Sequence, residues 1–412
     1  MKILIVGAGA AGMMAAATII EGDSDAEVCV VEKNAILGRK VLLSGGGRCN
    51  LTTAETDIPL LMKAYPRGGR WLRFAMHEFS PADVHAWFEK HRIPLKTEGK
   101  KIFPRSNDGE DVTEMFLHFL EDNNVEIILE TAVETIEKDG DGFKVSLEYG
   151  DDLYCDKLIL TTGGSAYSHT GSSGDGYAFA RALGHSISPL AATLTSFAAV
   201  ESWVSELAGV SIENAKLKLV GEEKYEVSGP FLFTHKGVSG PGIFALSSLS
   251  AFEKFSKDSR LKLFVDFVPG MNSGSLSEEI LQKAKGHPKK TLLRIMNYYL
   301  PKSLLAVIFD QLGLDGTKTI AEISKKNINR CVESLKNFEM TLKGRIPGAE
   351  IVTAGGVKLD EVDSKTMESK ICPGLYFGGE LLDVDGFTGG YNLQIAWATG
   401  RLAGVSALGG DV

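Results

Sequence analysis

The sequence lacks several features that would place it in particular classes of protein. Its five cysteines lie far apart and form no CxxC pair, which argues against zinc, iron–sulfur and redox-disulfide motifs and is typical of a reducing cytoplasm. No apolar run approaches the length of a membrane-spanning helix. The N-terminus leads directly into a predicted strand, and cleavage of a signal peptide would destroy the motif that begins there, so we do not expect a signal peptide. Together these absences predict a cytoplasmic protein without a metal site.

Positive charge is also in short supply. The chain has 44 Lys and Arg against 53 Asp and Glu, a net charge of −9. This balance disfavours general binding to nucleic acid or membrane surfaces, although it is compatible with a local basic patch. Internal repeats and low-complexity tracts are absent, and 412 residues exceed the size of one hydrophobic core, so we expect two or three globular domains.

The most informative pattern that is present lies at the N-terminus. An apolar strand at Lys2–Val6 leads into a glycine-rich turn and an Ala-rich helix, and a second apolar strand ends at Glu32. In a dinucleotide-binding unit, the three glycines of such a turn permit a tight reversal, a close approach to a pyrophosphate and close helix–strand packing, while the acid binds a ribose. The phosphates lie at the positive end of the helix dipole. The residues predicted here to contact a cofactor are Gly7, Gly9, Ala10, Ala11, Gly12 and Glu32.

A second glycine-rich loop follows Glu32 and favours a flavin dinucleotide over a nicotinamide dinucleotide. Simple NAD dehydrogenases usually continue into another βα unit at this point, whereas this loop offers cations for a pyrophosphate and backbone N–H groups for the ring of a longer cofactor. A flexible, solvated basic loop is the alternative interpretation. The residues predicted to contact FAD in this stretch are Lys33, Arg39, Lys40, Ser44, Gly45, Gly46, Gly47, Arg48, Cys49 and Asn50.

The C-terminal region supplies a matching half. A predicted strand that begins near Gly374 ends in a polar turn, where Glu380 or Asp385 can bind ribityl hydroxyls, and a helix then runs to about Ala407. The start of this helix can point N–H groups at a flavin carbonyl, although an ordinary αβ unit with glycine caps is an alternative. The remaining predicted FAD contacts, which include the turn after a strand at 157–161, are Val133, Thr162, Gly163, Gly164, Gly379, Glu380, Asp385, Gly390, Tyr391, Asn392 and Leu393.

These motifs together resemble one group of flavoproteins. The family includes the 3-dehydro-bile-acid delta-4,6-reductases, aminoacetone oxidase and many NAD(P)/FAD-dependent oxidoreductases. The resemblance implies an α/β fold with a Rossmann-type FAD-binding domain, as in glutathione-reductase-like flavoproteins of the two-dinucleotide-binding-domain class. It also implies tightly bound FAD and an inserted β-barrel with a small helical subdomain. It does not fix the substrate. The strings that carry it are GAGAAG at 7–12, GRKVLLSGGGRCNLT at 38–52, KIFPRS at 101–106, TTGGSAYSHTGSSGDGYAFARALGH at 161–185, THKGVSGPGIFALSS at 234–248, TAGGVKLDEVDSKTMESK at 353–370 and GLYFGGELLDVDGFTGGYNLQIAWATGRLAG at 374–404.

The chain is therefore predicted to consist of four segments. Residues 1–187 and 345–412 form a discontinuous FAD-binding domain, 188–270 an inserted β-barrel, and 271–344 an inserted helical subdomain. The stretch 277–343 has twelve Lys or Arg against seven Asp or Glu, so it is about +5 in a chain of −9. A solvated face explains this excess, and the alternative is a docking surface for an anionic partner such as RNA. The oligomeric state is left open.

The sequence gives only weak candidates for catalytic residues, because flavin chemistry is carried mainly by the cofactor. Cys49, Tyr391 and His169 lie in loops expected to border the ring. For Cys49 a packed small side chain is the favoured explanation, because no partner thiol is evident, whereas Tyr391 and His169 have equally good structural explanations. Tyr167, and His235 with Lys236, are further candidates for lining an entrance.

Three functions remain to be distinguished. The first is an FAD-dependent oxidoreductase of a small organic molecule, which either reduces a conjugated C=C bond or oxidises an amine. No second GxGxxG occurs in the sequence, so NAD(P)H is expected to dock transiently as the reductant. The second is an RNA-modifying flavoenzyme that reduces a base, with the basic helical region as its grip. A flavin-binding protein without turnover is the third.

Overall fold

The computed structural model describes residues 1–22, 25–256 and 260–410. The chain divides into two compact units. The discontinuous unit comprises Met1–Ala192 and Ile351–Val412, and the insert unit comprises Thr193–Glu350. No helix in the described part of the chain is long and apolar enough to cross a membrane.

The regular elements of the described residues are short strands and α-helices. The strands are β1 (Lys2–Val6), β2 (Glu27–Val31), β3 (Thr52–Thr53), β4 (Leu95–Glu98), β5 (Lys101–Pro104), β6 (Glu126–Ile128), β7 (Val133–Asp139), β8 (Gly142–Leu147), β9 (Leu153–Cys155), β10 (Lys157–Leu160), β11 (Ala191–Thr193), β12 (Phe197–Ala199), β13 (Ser211–Val220), β14 (Lys224–Phe233), β15 (Gly237–Ser239), β16 (Leu261–Asp266), β17 (Phe338–Arg345), β18 (Val352–Ala354) and β19 (Leu375–Phe377). The α-helices are α1 (Ala10–Glu21), α2 (Arg39–Leu43), α3 (Ile58–Met62), α4 (Arg73–Glu78), α5 (Pro81–Lys90), α6 (Glu110–Asp122), α7 (Asp175–Ala182), α8 (Pro241–Leu249), α9 (Ser273–Gly286), α10 (Leu292–Met296), α11 (Lys302–Leu312), α12 (Lys325–Lys336) and α13 (Tyr391–Ala407).

A parallel sheet forms the centre of the discontinuous unit. Its strand order is β19-β10-β1-β2-β6, and β1 is in parallel register with both β10 and β2. The side chains of Ile3, Leu4 and Ile5 are fully buried, as expected for a parallel strand that is covered on both faces. The sheet is complete only when β19, from the C-terminal region, pairs with β10.

Helices α1 and α13 pack side by side through very small residues. A Cβ added at Gly400 would lie 2.3 Å from the carbonyl oxygen of Ala11, and one at Gly404 would lie 2.8 Å from that of Ala15. The two backbones can approach this closely only because the facing side chains are alanine or absent. The Ala-rich composition of α1 is therefore explained by its packing against α13, in addition to the requirements of its N-terminus.

The insert unit contains a closed six-stranded antiparallel barrel, in the order β12-β15-β14-β13-β16-β17. The barrel strands alternate in burial: on β13, Leu217 and Leu219 are fully buried, whereas Lys216 is exposed. Period-two burial is the pattern of a strand with one face toward a core. Together with the parallel sheet, the barrel confirms the predicted α/β class with an inserted barrel.

The insert differs from the predicted segments in one respect. The range 271–344, predicted as a helical subdomain, ends in β17, which pairs with β16 and β12 and closes the barrel. Phe338, Met340 and Leu342 on β17 are buried in alternation. β17 follows α12 directly. The helical pattern of α12 was therefore extended over β17, and the alternating pattern of the strand was not recognised in the sequence. Helices α9–α12 and the barrel strands share one cluster of buried residues, so they form one core.

Candidate functional site

The carboxyl ends of β1 and β10 lie next to each other in the sheet of the discontinuous unit. Val6, the last residue of β1, is in register with Leu160, the last residue of β10. The chain leaves β1 toward β2 on one side, while β10 and β19 lie on the other. In doubly wound sheets a ligand binds at such a switch point, outside the carboxyl ends of the strands.

The first glycine-rich turn has the geometry that its sequence predicts. Gly7 has a φ of +99°, which disfavours any residue with a side chain. A Cβ at Gly12 would lie 1.9 Å from the carbonyl oxygen of Gly7, so the helix and the turn are in direct backbone contact. A Cβ at Gly9 would instead meet no atom of the described residues within 4 Å. Gly9 therefore faces open space at the start of α1, next to the largely buried Ala10 and Ala11.

Helix α1 begins without a capping side chain. Its first N–H groups and the positive end of its dipole are thus available to an anion. A twelve-residue helix that starts beside an open, glycine-lined space is a suitable position for a pyrophosphate.

Glu32 follows β2 and is 8% exposed. Its carboxylate accepts hydrogen bonds from the backbone N–H groups of Ala8, at 2.8 Å, and Asn34, at 2.9 Å. These bonds fix the acid beside the first turn, where a ribose is expected. The side-chain oxygen of Asn34 also accepts a hydrogen bond from the Arg39 guanidinium at 3.3 Å. Asn34 was not among the residues predicted from the sequence. Lys33 forms an ion pair with Asp175, at 2.5 Å.

The second glycine loop is open and locally left-handed. Gly45, Gly46 and Gly47 all have positive φ, and a Cβ at Gly46 would meet no described atom within 4 Å. The hydroxyl of Ser44 donates to the carbonyl oxygen of Val41 at 2.8 Å, which closes the preceding turn.

The cations of this loop have specific partners. Lys40 forms an ion pair with Glu380 at 2.5 Å, across 340 positions of sequence. Arg48 forms an ion pair with Glu98 at 2.6 Å and lies 4.1 Å from the centre of the Phe103 ring. Lys40 therefore links the two predicted halves of the site, whereas Arg48 is held against β4 and β5.

The turn after β10 is fixed by side chains of threonine. The hydroxyl of Thr161 donates to the carbonyl oxygen of Gly7 at 2.7 Å, so it ties this turn to the first one. The buried Thr162 hydroxyl has no hydrogen-bond partner among the described residues. Gly163 and Gly164 follow, and a Cβ at Gly164 would lie 2.5 Å from the hydroxyl of Thr353.

Thr353 connects this turn to Glu380. Its hydroxyl accepts from the backbone N–H groups of Ser165 and Ala166, and its own N–H donates to Glu380 at 2.8 Å. Thr353 stands at the start of the TAGG string, but only its contacts reveal this role. Val133, at the start of β7, is in register with Leu147 and stays a predicted contact.

The C-terminal segment places its helix start beside the second loop. Gly390 has a φ of +90°, and a Cβ there would lie 2.3 Å from the carbonyl oxygen of Thr52. Asn50, with its amide oxygen toward Gly390, accepts from the Gly390 N–H at 2.9 Å. The Asn392 amide bridges both backbone groups of Gly386. Gly379 donates its N–H to the Thr399 hydroxyl, while Leu393 lies in the first turn of α13.

Two predicted cofactor contacts require correction. Cys49 and Asp385 are both 0% exposed, so neither presents surface that a cofactor could touch. Burial raises the pKa of the Cys49 thiol to about 12, which also opposes a role as a reactive thiolate. Asp385 instead holds the guanidinium of Arg67 through two bonds of 2.5 Å each, and Glu380 is the acid that remains partly exposed.

The other catalytic candidates lie in different settings. Tyr391 is half-buried, and its ring stands edge-on to Tyr65 at 5.9 Å between centroids. His169 is exposed, and its ring lies 5.3 Å from that of Tyr167. His235 and Lys236 are exposed residues of the insert unit. Tyr391 alone adjoins the start of α13, so it is the stronger of these candidates.

The arrangement fits the dinucleotide part of FAD. Open space at Gly9 and Gly46, an uncapped helix start at α1 and a fixed acid at Glu32 are the groups that a pyrophosphate and a ribose need. The partly exposed Glu380 and the start of α13 are suited to the ribityl chain and the ring.

Comparisons with known proteins agree with this geometry. The family model described as the HI0933-like protein Rossmann domain matches residues 1–406. The chain is 31% identical to the 3-dehydro-bile acid delta(4,6)-reductase of Clostridium scindens over 409 residues, which is 98% of each chain. It is 30% identical to the ribosomal RNA dihydrouridine synthase of Escherichia coli over 403 residues, 96% of this chain and 95% of that protein. The corresponding synthase of Haemophilus influenzae is 31% identical over 411 residues, 98% and 97% of the two chains.

Solved structures show the same fold at low sequence identity. The 3-ketosteroid delta1-dehydrogenase of Sterolibacterium denitrificans superposes with a TM-score of 0.51 at 13% identity and covers 99% of both chains. A flavocytochrome c3 fumarate reductase gives a TM-score of 0.51 at 13% identity and covers 99% of this chain and 78% of that one. The protein therefore belongs to the HI0933-like family and is an FAD-dependent oxidoreductase of the Rossmann type.

Proposed function

We propose that this enzyme reduces a carbon–carbon double bond conjugated to a carbonyl group in a small organic substrate, with NAD(P)H docking transiently as the electron donor. The observation that carries the proposal is the full-length similarity to a protein named as a bile-acid delta(4,6)-reductase. A 3-dehydro-delta(4,6) compound contains such a conjugated system. The absence of a second GxGxxG from the sequence favours transient docking of the nicotinamide.

The residues of the site would hold FAD and stabilise negative charge near its ring. The first turn and Glu32 would bind the pyrophosphate and ribose, and the Lys40–Glu380 pair would border the ribityl chain. Bound FAD supplies the capacity to accept two electrons from a reductant and pass them to a substrate. The uncapped start of α13 would stabilise negative charge near the ring. Tyr391, whose side chain is partly exposed there, is the proposed proton donor.

Anaerobic stopped-flow spectroscopy of the flavin tests the proposed direction of electron flow. The purified holoenzyme is mixed separately with NADH, NADPH and a panel of amines. We expect one or both nicotinamides to bleach the visible flavin band and a conjugated enone to restore it without oxygen. Bleaching by amines alone would contradict the proposal and identify an amine oxidase. A spectrum that no reductant changes would favour flavin binding without turnover.

A second candidate function is the same chemistry on a base of RNA. It is favoured by the two full-length relatives named as ribosomal RNA dihydrouridine synthases. The C5=C6 bond of uridine is conjugated to the C4 carbonyl, so both names describe reduction of an activated double bond. Incubation of the holoenzyme with NAD(P)H and uridine-containing RNA, followed by nucleoside mass spectrometry, tests this function. A gain of two hydrogens on uridine supports it, and unmodified RNA under conditions where enones are reduced contradicts it.

A further inference from the structure

We propose that Tyr298, with Lys283 and Lys290, forms a platform on which an unpaired base of RNA stacks. This inference rests on the second candidate function and assigns it a binding surface within the insert unit. The three residues are called the Tyr298 platform below.

The ring of Tyr298 is an unusual feature of the insert surface because it is 58% exposed. Lys283 Nζ lies 5.3 Å from the ring centre and Lys290 Nζ lies 5.6 Å from it. Lys290 also donates to the Tyr298 hydroxyl at 3.2 Å. An exposed aromatic ring is thus presented together with two ammonium groups, one on α9 and one in the α9–α10 connection.

The platform is connected through Lys283 to a polar cluster. The Tyr299 hydroxyl donates to Glu279 at 2.7 Å, and Lys283 donates to the Tyr299 hydroxyl at 3.2 Å and pairs with Glu279. Lys283 Nζ also lies 5.1 Å from the centre of the Tyr299 ring. Glu279 therefore positions Lys283 and partly neutralises it, so Lys290 is the cation of the platform that is better able to meet a phosphate.

The charge around the platform has the sign that an RNA backbone requires. Lys285, Lys289 and Arg294 are exposed in the same stretch of chain. The whole stretch 277–343 has twelve basic against seven acidic residues, although the protein carries a net charge of −9. A basic region on an anionic protein concentrates its attraction for a polyanion at one place.

The combination of an exposed aromatic ring and flanking cations fits single-stranded nucleic acid better than a duplex. Proteins that bind single strands stack bases on exposed aromatic rings and neutralise the backbone with Lys or Arg. The bases of a duplex keep their faces stacked on each other, whereas those of RNA loops and bulges are accessible. A loop or bulge of a structured RNA is therefore the expected ligand.

The test measures binding of the full-length holoenzyme to a fluorescent RNA hairpin with a uridine-containing loop, with a blunt duplex of equal length as comparison. We expect tighter binding to the hairpin, weakened by salt. Tyr298→Ala should weaken it about tenfold, as expected for the loss of one base stack. Tyr298→Phe should restore binding, because the ring face is kept, and Lys290→Ala should lower the slope of log affinity against log salt by about one.

Tyr154→Ala provides a matched control, since Tyr154 is 54% exposed and belongs to the discontinuous unit. Its binding should equal that of the parent. The platform would be overturned if Tyr154→Ala and Tyr298→Ala lost the same affinity for the hairpin, or if Tyr298→Ala lost none. It would also be overturned if the parent protein did not bind the hairpin. If dihydrouridine still forms in such a case, the second candidate function survives. If binding depends on the platform but no dihydrouridine forms, the second candidate function is rejected and the platform remains as an RNA-binding surface.

Discussion

The glycine contacts of the discontinuous unit and the barrel core of the insert unit are two different kinds of packing. In the former, backbone approaches backbone: a Cβ at Gly12 would lie 1.9 Å from the Gly7 oxygen, and one at Gly400 would lie 2.3 Å from the Ala11 oxygen. In the latter, large side chains such as Phe231 and Leu263 fill the barrel and are fully buried. A substitution should therefore act at these glycines by steric conflict or by entering the ligand space, and in the barrel core by leaving a cavity.

The largest expected effect separates the two roles of glycine in the first turn. Gly9→Val should abolish FAD binding and leave a folded, colourless protein, because its φ of −73° suits any residue and its side chain would enter the open space. Gly12→Val should disrupt the fold itself. Visible absorbance and far-UV circular dichroism distinguish the two outcomes. Stoichiometric yellow cofactor in Gly9→Val would contradict the assignment of the pyrophosphate site.

In the insert unit the corresponding change is the truncation of a core side chain. Phe231→Ala should reduce the free energy of unfolding by about 3–5 kcal/mol, because the cavity loses the contacts of a fully buried ring. Chemical denaturation followed by circular dichroism measures this loss. Phe252→Ala, at a 50% exposed position of the same unit, is the control and should cost far less. Equal losses would show that the barrel core does not govern the stability of the insert.

A smaller effect is expected at the ribose position. Glu32→Gln should weaken FAD binding roughly tenfold, because a neutral amide replaces a charged acceptor whose hydrogen bonds contribute about 1.5–3 kcal/mol. Equilibrium dialysis against free FAD gives the affinity. Glu27→Gln, at the exposed start of β2, should leave the affinity unchanged. If both variants bind alike, the ribose is held by another group.

A pH-dependent contribution to stability is expected in the discontinuous unit. Burial lowers the pKa of His185, whose Nε2 lies 2.7 Å from the Ser369 hydroxyl and whose Nδ1 lies 3.2 Å from Glu361. The unfolded chain then binds a proton that the folded chain does not, so stability is present above the ordinary histidine pKa of about 6.5 and falls as the pH drops below it.

His185→Gln should remove this dependence. Unfolding midpoints are compared for the parent and the variant at several pH values on both sides of the ordinary histidine pKa. The difference between the two proteins should shrink as the pH falls. A constant difference would show that His185 does not change its protonation on unfolding.

The smallest effect is expected at Cys49. Cys49→Ala should keep flavin reduction close to that of the parent, because the thiol is fully buried and its raised pKa of about 12 keeps it protonated. Iodoacetamide should leave the native thiol unmodified and alkylate it after denaturation. Loss of flavin reduction in the variant, or rapid alkylation of the native enzyme, would restore Cys49 as a reactive residue.

Much of the discontinuous unit was predictable because its signals are local. Gly7, Gly9 and Gly12 occupy the three positions that a pyrophosphate-binding turn requires, and the predicted strand at Lys2–Val6 coincides with β1. The roles of four residues were not predicted, because they depend on partners far along the chain or on a single backbone group. These residues are Asn34, Arg67, Thr161 and Thr353. Asp385 was assigned to the cofactor because the sequence does not show that Arg67, 318 positions away, takes up its carboxylate.

The sequence alone determined the family, the flavin and the class of redox chemistry, because each of these depends on short motifs whose backbone groups bind the cofactor. The tertiary structure decided which acid stays partly exposed, how deeply the Cys49 thiol is buried and where the barrel closes. Those properties depend on long-range pairing, such as Lys40 with Glu380 and β17 with β12, and on the burial that pairing produces. A residue type and its neighbours specify what a side chain can do, and only the packed fold specifies whether it is placed to do it.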